Sequence, residues 1–460
     1  MNVVQTISQT KEIWQKDKDH FLHSYTHMED FPKEGAVVYA KGDRHFIYDN
    51  DGKKYIDGIA GLWCVNIGHG RKEIGEVLAQ QAEKLAYYNT FGDATTPPAA
   101  ELAEKLAQIT PANLNKVFYG TGGSMANDTA IKIVHYYFNQ LGKSKKKKII
   151  SRINAYHGST YLSHALTGIQ SSHSGFDLAH DLIHYISEPN PYHKPAHLSE
   201  EGFLNHLIHE FEETILRLGP DNVACFIGEP IMGAGGVVVP PAGYYKRMYE
   251  VCKKYDMLFI ADEVVTAFGR LGQMVASENR FGVQPDLLVM AKGISSGYVP
   301  LGATMISDEV YDVLSRPKAD NPYFSHGFTY SGHALSCACG LENIRIMEEE
   351  FMCYHVRQWG PYFKQELKKL EHLPIVGNVR GSHFMLGVEY VQDKATKTHF
   401  DSSMKLTKRI YLKCKDKGLI IRPIGNITVL SPPLTMDKVA IDTTVSILKE
   451  SIIETISEVF

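Results

Sequence analysis

The sequence predicts an α/β protein, with a large domain on a mostly parallel central sheet and a smaller α/β domain after it. Three observations carry this. Short, continuously apolar runs alternate with helical segments through the middle of the chain, as strands buried on both faces alternate with crossover helices. The 460 residues are too many for one hydrophobic core. Beyond about residue 335 the order changes to helix, strands, helix, strand, helix.

The first sixty residues are polar and then turn-rich. Phe46-Ile47-Tyr48 and Lys54-Tyr55-Ile56 flank Asp49-Asn50-Asp51-Gly52, the signature of a hairpin. The period then becomes helical: Ile74, Val77, Leu78 and Leu85 share one face, and after Pro97-Pro98 so do Ala99, Leu102, Leu106 and Ile109. The apolar runs that follow are Lys116–Tyr119, Ile149-Ile150, Val223–Ile227, Leu258–Ile260 and Leu287–Met290. Near the end Val445, Leu448, Ile452, Ile456 and Val459 repeat at helical spacing, and Gly418 sits where a helix ending near Lys417 needs a left-handed cap. The expected division is 1–65, an N-terminal segment and hairpin belonging to the small domain; 66–334, the large α/β domain; and 335–460, the C-terminal small domain.

Composition excludes several classes. Hydrophobic residues at 44% and charged residues at 22% are ordinary globular usage. A net charge of −4 indicates no polyanionic partner, and the one basic run, Lys143 to Lys148, reads as a solvated loop. Seven scattered cysteines suggest reduced thiols, hence a cytoplasmic protein. The start of the chain lacks the apolar core of a signal peptide, and no apolar run reaches the roughly 18 residues of a membrane helix. His206, His209 and Glu210 have helical spacing for a metal but no third ligand element, so no metal is expected.

In an open parallel sheet, functional groups gather beyond the carboxyl ends of the strands. Three runs end there in charge: Val223–Ile227 leads into Gly228-Glu229, Leu258–Ile260 into Ala261-Asp262-Glu263-Val264, and Leu287–Met290 into Ala291-Lys292-Gly293. Lone buried charges are costly, so the set needs an explanation. A structural Asp–Lys ion pair is one. Gly120-Thr121-Gly122-Gly123-Ser124 favours another, because it follows a strand and opens a helix, where glycine and free amides bind phosphate. It is neither a Walker loop nor a dinucleotide fingerprint. A phosphate cup, a strand-end acid and a strand-end lysine match the needs of pyridoxal 5'-phosphate (PLP): an anchor for its phosphate, a lysine for its aldehyde and a carboxylate for its pyridine nitrogen.

From about Gly35 to the carboxyl end the sequence resembles the class III aminotransferases, PLP enzymes of fold type I. The resemblance lies in Ala261-Asp262-Glu263-Val264 with Phe268-Gly269-Arg270, in Ala291-Lys292-Gly293 with Pro300-Leu301-Gly302-Ala303, and in the thirty residues between Asp262 and Lys292. It implies that Lys292 links to the cofactor and moves the proton, and that Asp262 pairs with the pyridine nitrogen. It implies further that Val264 and Tyr156 sandwich the ring, that Gly122, Gly123 and Ser124 hold the phosphate, and that His157 and Glu229 belong to the cofactor site. His326-Gly327-Phe328-Thr329-Tyr330-Ser331-Gly332-His333 is similar to the family segment whose Thr reaches the neighbouring subunit's phosphate. Phe328 and Thr329 are therefore expected at the cofactor of the partner in a homodimer with shared sites.

Two positions depart from many members of the family: Val265 stands where they have Gln, which counts against ornithine- or GABA-type enzymes, and Met125 where they have Glu. Gly61-Leu62-Trp63-Cys64-Val65-Asn66-Ile67-Gly68-His69-Gly70-Arg71 resembles the ω-amino acid and amine:pyruvate transaminase subgroup. That resemblance implies substrate contacts from Leu62, Trp63 and Phe91, and a substrate carboxylate on Arg422. The implied reaction is ping-pong transfer from an amine donor to a keto acid, pyruvate first. An aminomutase, racemase or decarboxylase on the same fold is the alternative, since fold and cofactor do not fix the reaction.

Overall fold

The computed structural model describes residues 3–316 and 323–459. Among the described residues fifteen strands form three sheets. The N-terminal strands are β1 (Tyr39–Asp43), β2 (Phe46–Asp49) and β3 (Lys54–Asp57). The central ones are β4 (Leu114–Gly120), β5 (Lys148–Arg152), β6 (Ile183–Ile186), β7 (Val223–Gly228), β8 (Leu258–Asp262), β9 (Leu287–Met290) and β10 (Gly302–Ser307). The C-terminal ones are β11 (Val376–Ser382), β12 (Met385–Tyr390), β13 (Leu419–Ile420), β14 (Arg422–Ile424) and β15 (Ile427–Leu430).

The central sheet has the order β4-β10-β9-β8-β7-β5-β6. β6, β5, β7, β8 and β9 run parallel, while β10 is antiparallel to both β9 and β4. Every residue of β7, β8, β9 and β10 is buried, as strands covered by helices on both faces must be. One face is closed by the helix Gly123–Gln140, whose Ala126, Ala130, Ile133, Val134 and Tyr137 are buried against Ile149, Ile227, Ile260 and Val289. The other face packs on the helix Glu200–Leu218 through Phe203, Leu207 and Phe211, and on Tyr244–Lys254.

β6 and β10 are absent from the sequence expectation. β10 reads Gly-Ala-Thr-Met-Ile-Ser, so its apolar run is broken by Gly302, Thr304 and Ser307 although all three are buried. Thr304 makes that possible by donating from Oγ1 to the Ala126 carbonyl at 2.8 Å. The helix Val3–His20 is a further element that the polar opening of the chain did not announce.

β2 and β3 form the expected hairpin, β1 adds an antiparallel strand beside β2 that was not expected, and β3 continues into a parallel pair with β13, Ile56 opposite Leu419. Gly58 lies where a Cβ would come within 2.4 Å of the Ile420 carbonyl oxygen, so the N-terminal segment can enter this sheet only with glycine there. Gly418, at φ +86°, turns the chain from the helix Leu406–Asp416 into β13. The last sheet, β11-β12-β15-β14, is antiparallel throughout.

The basic run is not simply a solvated loop. Lys146 is 3% exposed, and its Nζ donates to the backbone carbonyls of Val223, Tyr255 and Asp256. Those three oxygens replace water around the ammonium.

Candidate active site

A cavity of about 710 Å³ opens at the carboxyl ends of β7, β8 and β9. Those ends carry Glu229, Asp262 and Lys292, because each strand stops one or two residues before or at a charged side chain.

Lys292 has φ +47°, a left-handed conformation rare for a side chain with a Cβ and costing about 1–2 kcal/mol. That twist turns the lysine off the end of β9 into the cavity wall. Among the described residues its amine makes no ion pair. Burial pushes its pKa down, favouring the neutral, nucleophilic form.

The Asp262 carboxylate turns elsewhere. Its Oδ2 accepts from His157 Nδ1 at 2.7 Å and from Asn127 Nδ2 at 2.8 Å, and its Oδ1 accepts from the Val264 amide at 3.1 Å. Asp262 and Lys292 are therefore two separate functional groups and not an ion pair. A carboxylate only accepts, so His157 carries its proton on Nδ1, and its buried Nε2 has no partner. Asn127 also donates to the His157 carbonyl at 2.7 Å, which fixes both groups on the helix that follows the glycine turn. Glu229 accepts from the Tyr156 amide at 3.1 Å and the Gly233 amide at 2.7 Å, and burial pushes its pKa up.

Gly122 precedes the helix Gly123–Gln140, whose first amides carry no side-chain cap. Such amides at a helix N-terminus are donors awaiting an anion. The approach is tight: a Cβ on Gly123 would lie 3.1 Å from Val264, and one on Gly158 would lie 2.5 Å from Ser124 Oγ. Ser124 Oγ accepts the Ser159 amide at 3.1 Å, which draws the Tyr156–Ser159 turn over the cup. Met125, the unexplained position, receives the Thr121 hydroxyl on its sulfur at 2.8 Å, so it closes the turn from within.

On the outer side stand Leu62, Trp63 and Arg422. Trp63 is buried at φ +64°, after Gly61 at φ +67°. Asp57 holds this kink by accepting the amides of Ile59 and Gly61 at 3.1 and 2.8 Å. Arg422 opens β14 and makes no ion pair with any described residue; burial pushes its pKa down, against the opposing influence of the phenols of Tyr156 and Tyr25. Val265 presents an apolar wall to the cavity.

Phe91, Phe328 and Thr329 do not line this chain's cavity. They lie together instead: Gly327 abuts the Phe91 ring, Tyr87 donates to the Thr329 carbonyl at 2.7 Å, and Thr90 donates to the Ser331 carbonyl at 2.9 Å. His206, His209 and Glu210 do not converge, since Glu210 accepts from Ser187 and His209 faces Glu213.

Asn127 and Tyr25 are among the lining residues that escaped the sequence reading. Asn127 had a signal, a polar side chain beside the apolar stripe of Ala126 and Ala130. Tyr25 had none; it comes from the N-terminal segment and hydrogen-bonds Ser159 Oγ at 2.9 Å beside Tyr156.

The family model for Aminotransferase class-III matches residues 31–452. The chain is 42% identical over 441 residues to a diaminobutyrate–2-oxoglutarate transaminase of Halomonas elongata, covering 94% of each. It is 38% identical over 461 residues to a putrescine–pyruvate aminotransferase of Pseudomonas aeruginosa, covering all of each. The fold superimposes with a TM-score of 0.94 on the crystal structure of the ω-transaminase from Pseudomonas jessenii in complex with PMP, at 38% identity and covering 97% of this chain and 98% of that one. Sequence, fold and cavity agree: this chain belongs to the class III aminotransferases, which are PLP-dependent enzymes.

Proposed function

We propose that the enzyme moves an amino group from an ω-amino acid or simple amine to a keto acid, pyruvate being the acceptor of choice, and that it does so as a homodimer. One observation carries the reading: Arg422, which has no acid partner among the described residues, lines the same largely apolar cavity as a buried lysine whose pKa is lowered by burial.

The residues present fit PLP. An uncapped helix N-terminus reached through glycines suits its phosphate, and an acid aligned by His157 and Asn127 suits its pyridine nitrogen. A lysine free of any ion pair suits its aldehyde. When bound, the cofactor supplies an electron sink for the bond broken at the substrate's amino carbon.

The chain's own residues do the rest. Asp262 would hold the proton of the cofactor's pyridine nitrogen, with His157 and Asn127 preventing the carboxylate's rotation. Lys292, as a free amine, would accept at Nζ the proton from the substrate's amino carbon and release it again as the amino group is transferred. Val264, Tyr156 and Trp63 keep water from that proton. Arg422 takes the carboxylate of the keto acid, while Leu62, Trp63 and Val265 suit an apolar donor. The relatives act on different donors, diaminobutyrate and putrescine among them, so family membership does not choose between them.

Two measurements test this. Borohydride reduction and peptide mapping should place the cofactor on Lys292, and a label on another lysine would overturn that assignment. A panel of amines with and without pyruvate should show turnover only when the keto acid is present in stoichiometric amount. Keto-acid-independent turnover would instead mark a racemase, mutase or decarboxylase.

A further inference from the structure

We propose that His193, His399 and Glu389 form a binding site for one divalent ion of the zinc class, separate from the cofactor cavity. The site lies in the seam between the loop after β6 and the C-terminal antiparallel sheet.

Glu389 sits on β12 with its carboxylate 1% exposed. Its Oε1 faces His193 Nε2 at 2.6 Å and His399 Nε2 at 2.7 Å, and its Oε2 is held by Arg380. The three ligand atoms lie within 4.8 Å of one another, the one such group among the described residues. Two histidines and one carboxylate are an established donor set for zinc, with a fourth position left to water. The ring geometry suits it as well. Zn–N bonds of about 2.0–2.1 Å at a tetrahedral angle place two imidazole centroids roughly 5 Å apart; here they are 5.4 Å apart with planes crossed at 73°.

Ordered structure places each ligand. Glu389 is fixed in register opposite Asn378 and Ile427. His193 ends a short turn in which Asn190 Oδ1 accepts the Tyr192 amide at 3.2 Å. His399 follows a turn closed by Gln392 donating to the Thr398 carbonyl at 2.8 Å. The histidine side chains are 31% and 47% exposed, so an ion can enter from solvent and meet a buried carboxylate behind them.

Arg380 supplies the outer contact that orients a ligating carboxylate. Its Nε donates to the Gly236 carbonyl at 2.8 Å, in the loop whose Ile231 and Ala234 line the active-site cavity. Arg380 also competes for the carboxylate's charge, so the site is weaker than an all-protein structural zinc site. For binding, each imidazole presents Nε2 as a lone pair; its proton moves to Nδ1 or, from an imidazolium, to water. Affinity therefore falls as pH is lowered.

The test uses cofactor-loaded enzyme freed of metal by a chelator, then titrated with Zn²⁺ by calorimetry and with Co²⁺ by visible absorption. We expect one ion per chain and cobalt ligand-field bands. His193→Ala/His399→Ala should lose the ion, with affinity weakened at least about tenfold, while the control His206→Ala/His209→Ala keeps it. Melting without metal should match the parent in both variants, since these side chains are partly exposed. Should the double variant not fold, His193→Gln alone serves, and must shift the cobalt bands. Unchanged stoichiometry in the His193 and His399 variants, or no ion retained by the parent, overturns the site.

Discussion

The left-handed backbone at Lys292 shows what a single residue contributes and why its neighbours matter. The sequence marked Lys292 and Asp262 as charges at adjacent strand ends but left open that they neutralise one another. The structure forms no ion pair between them: Asp262 is engaged by His157 and Asn127, while Lys292, at φ +47°, leaves the end of β9 to line the cavity wall. No residue pattern encodes that turn; only the folded loop does. Asp262→Asn should retain bound cofactor and lose activity by about a hundredfold or more, since an amide cannot hold the ring proton. Turnover near the parent's would contradict the role. Arg422 gives a complementary expectation. A guanidinium with no acid partner is well placed for a carboxylate, and its side chain must leave when an apolar donor enters. Arg422→Ala should weaken the half-reaction with pyruvate by about 2–5 kcal/mol and spare that with a carboxylate-free amine. Single-turnover rates for the two halves measure the split; equal losses would assign Arg422 to the fold.

At the scale of elements, parallel strands with unbroken apolar runs were legible, and their ends located the charged groups. Of the two central strands that were not legible, β6 and β10, it is β10 that shapes the phosphate turn. It pairs with β4 so that Gly302 lies opposite Gly120, and a Cβ on Gly302 would approach the Gly122 carbonyl oxygen to 2.5 Å. Polar residues inside β10 hid it from a hydrophobicity reading, since their hydrogen bonds, such as Thr304 to Ala126, exist only in the folded sheet. Gly302→Ala must therefore displace the turn Gly120–Gly123 or part β10 from β4. The expected result is weakened cofactor retention on dialysis at little cost to far-UV circular dichroism. Unaltered cofactor affinity would show that the turn yields without consequence. Trp63 is a similar case: its presence was legible, whereas the kink that buries it depends on Asp57 capping two amides, a contact of tertiary origin.

For the molecule as a whole, the residues that fail to reach the cavity are as informative as those that do. Phe91, Phe328 and Thr329 are fastened into one unit through Tyr87 and Thr90, yet they do not line their own chain's site. Around them Tyr88, Phe91, Tyr323 and Tyr330 are each at least half exposed, an apolar surface that suits a second copy. In a two-fold dimer the same patch meets itself, so each chain's unit can complete the other's site. Complementation separates this from independent sites. Lys292→Ala and Thr329→Ala chains, each inactive alone, are mixed under conditions that exchange subunits. With shared sites, one site of every heterodimer collects both substitutions and the other collects neither. Half of the dimers are then mixed, and about a quarter of all sites regain the parent constellation. With independent sites, each retains one substitution and activity stays absent. Exchange is verified by mass, so an inactive mixture of exchanged subunits would show that Thr329 serves only its own chain.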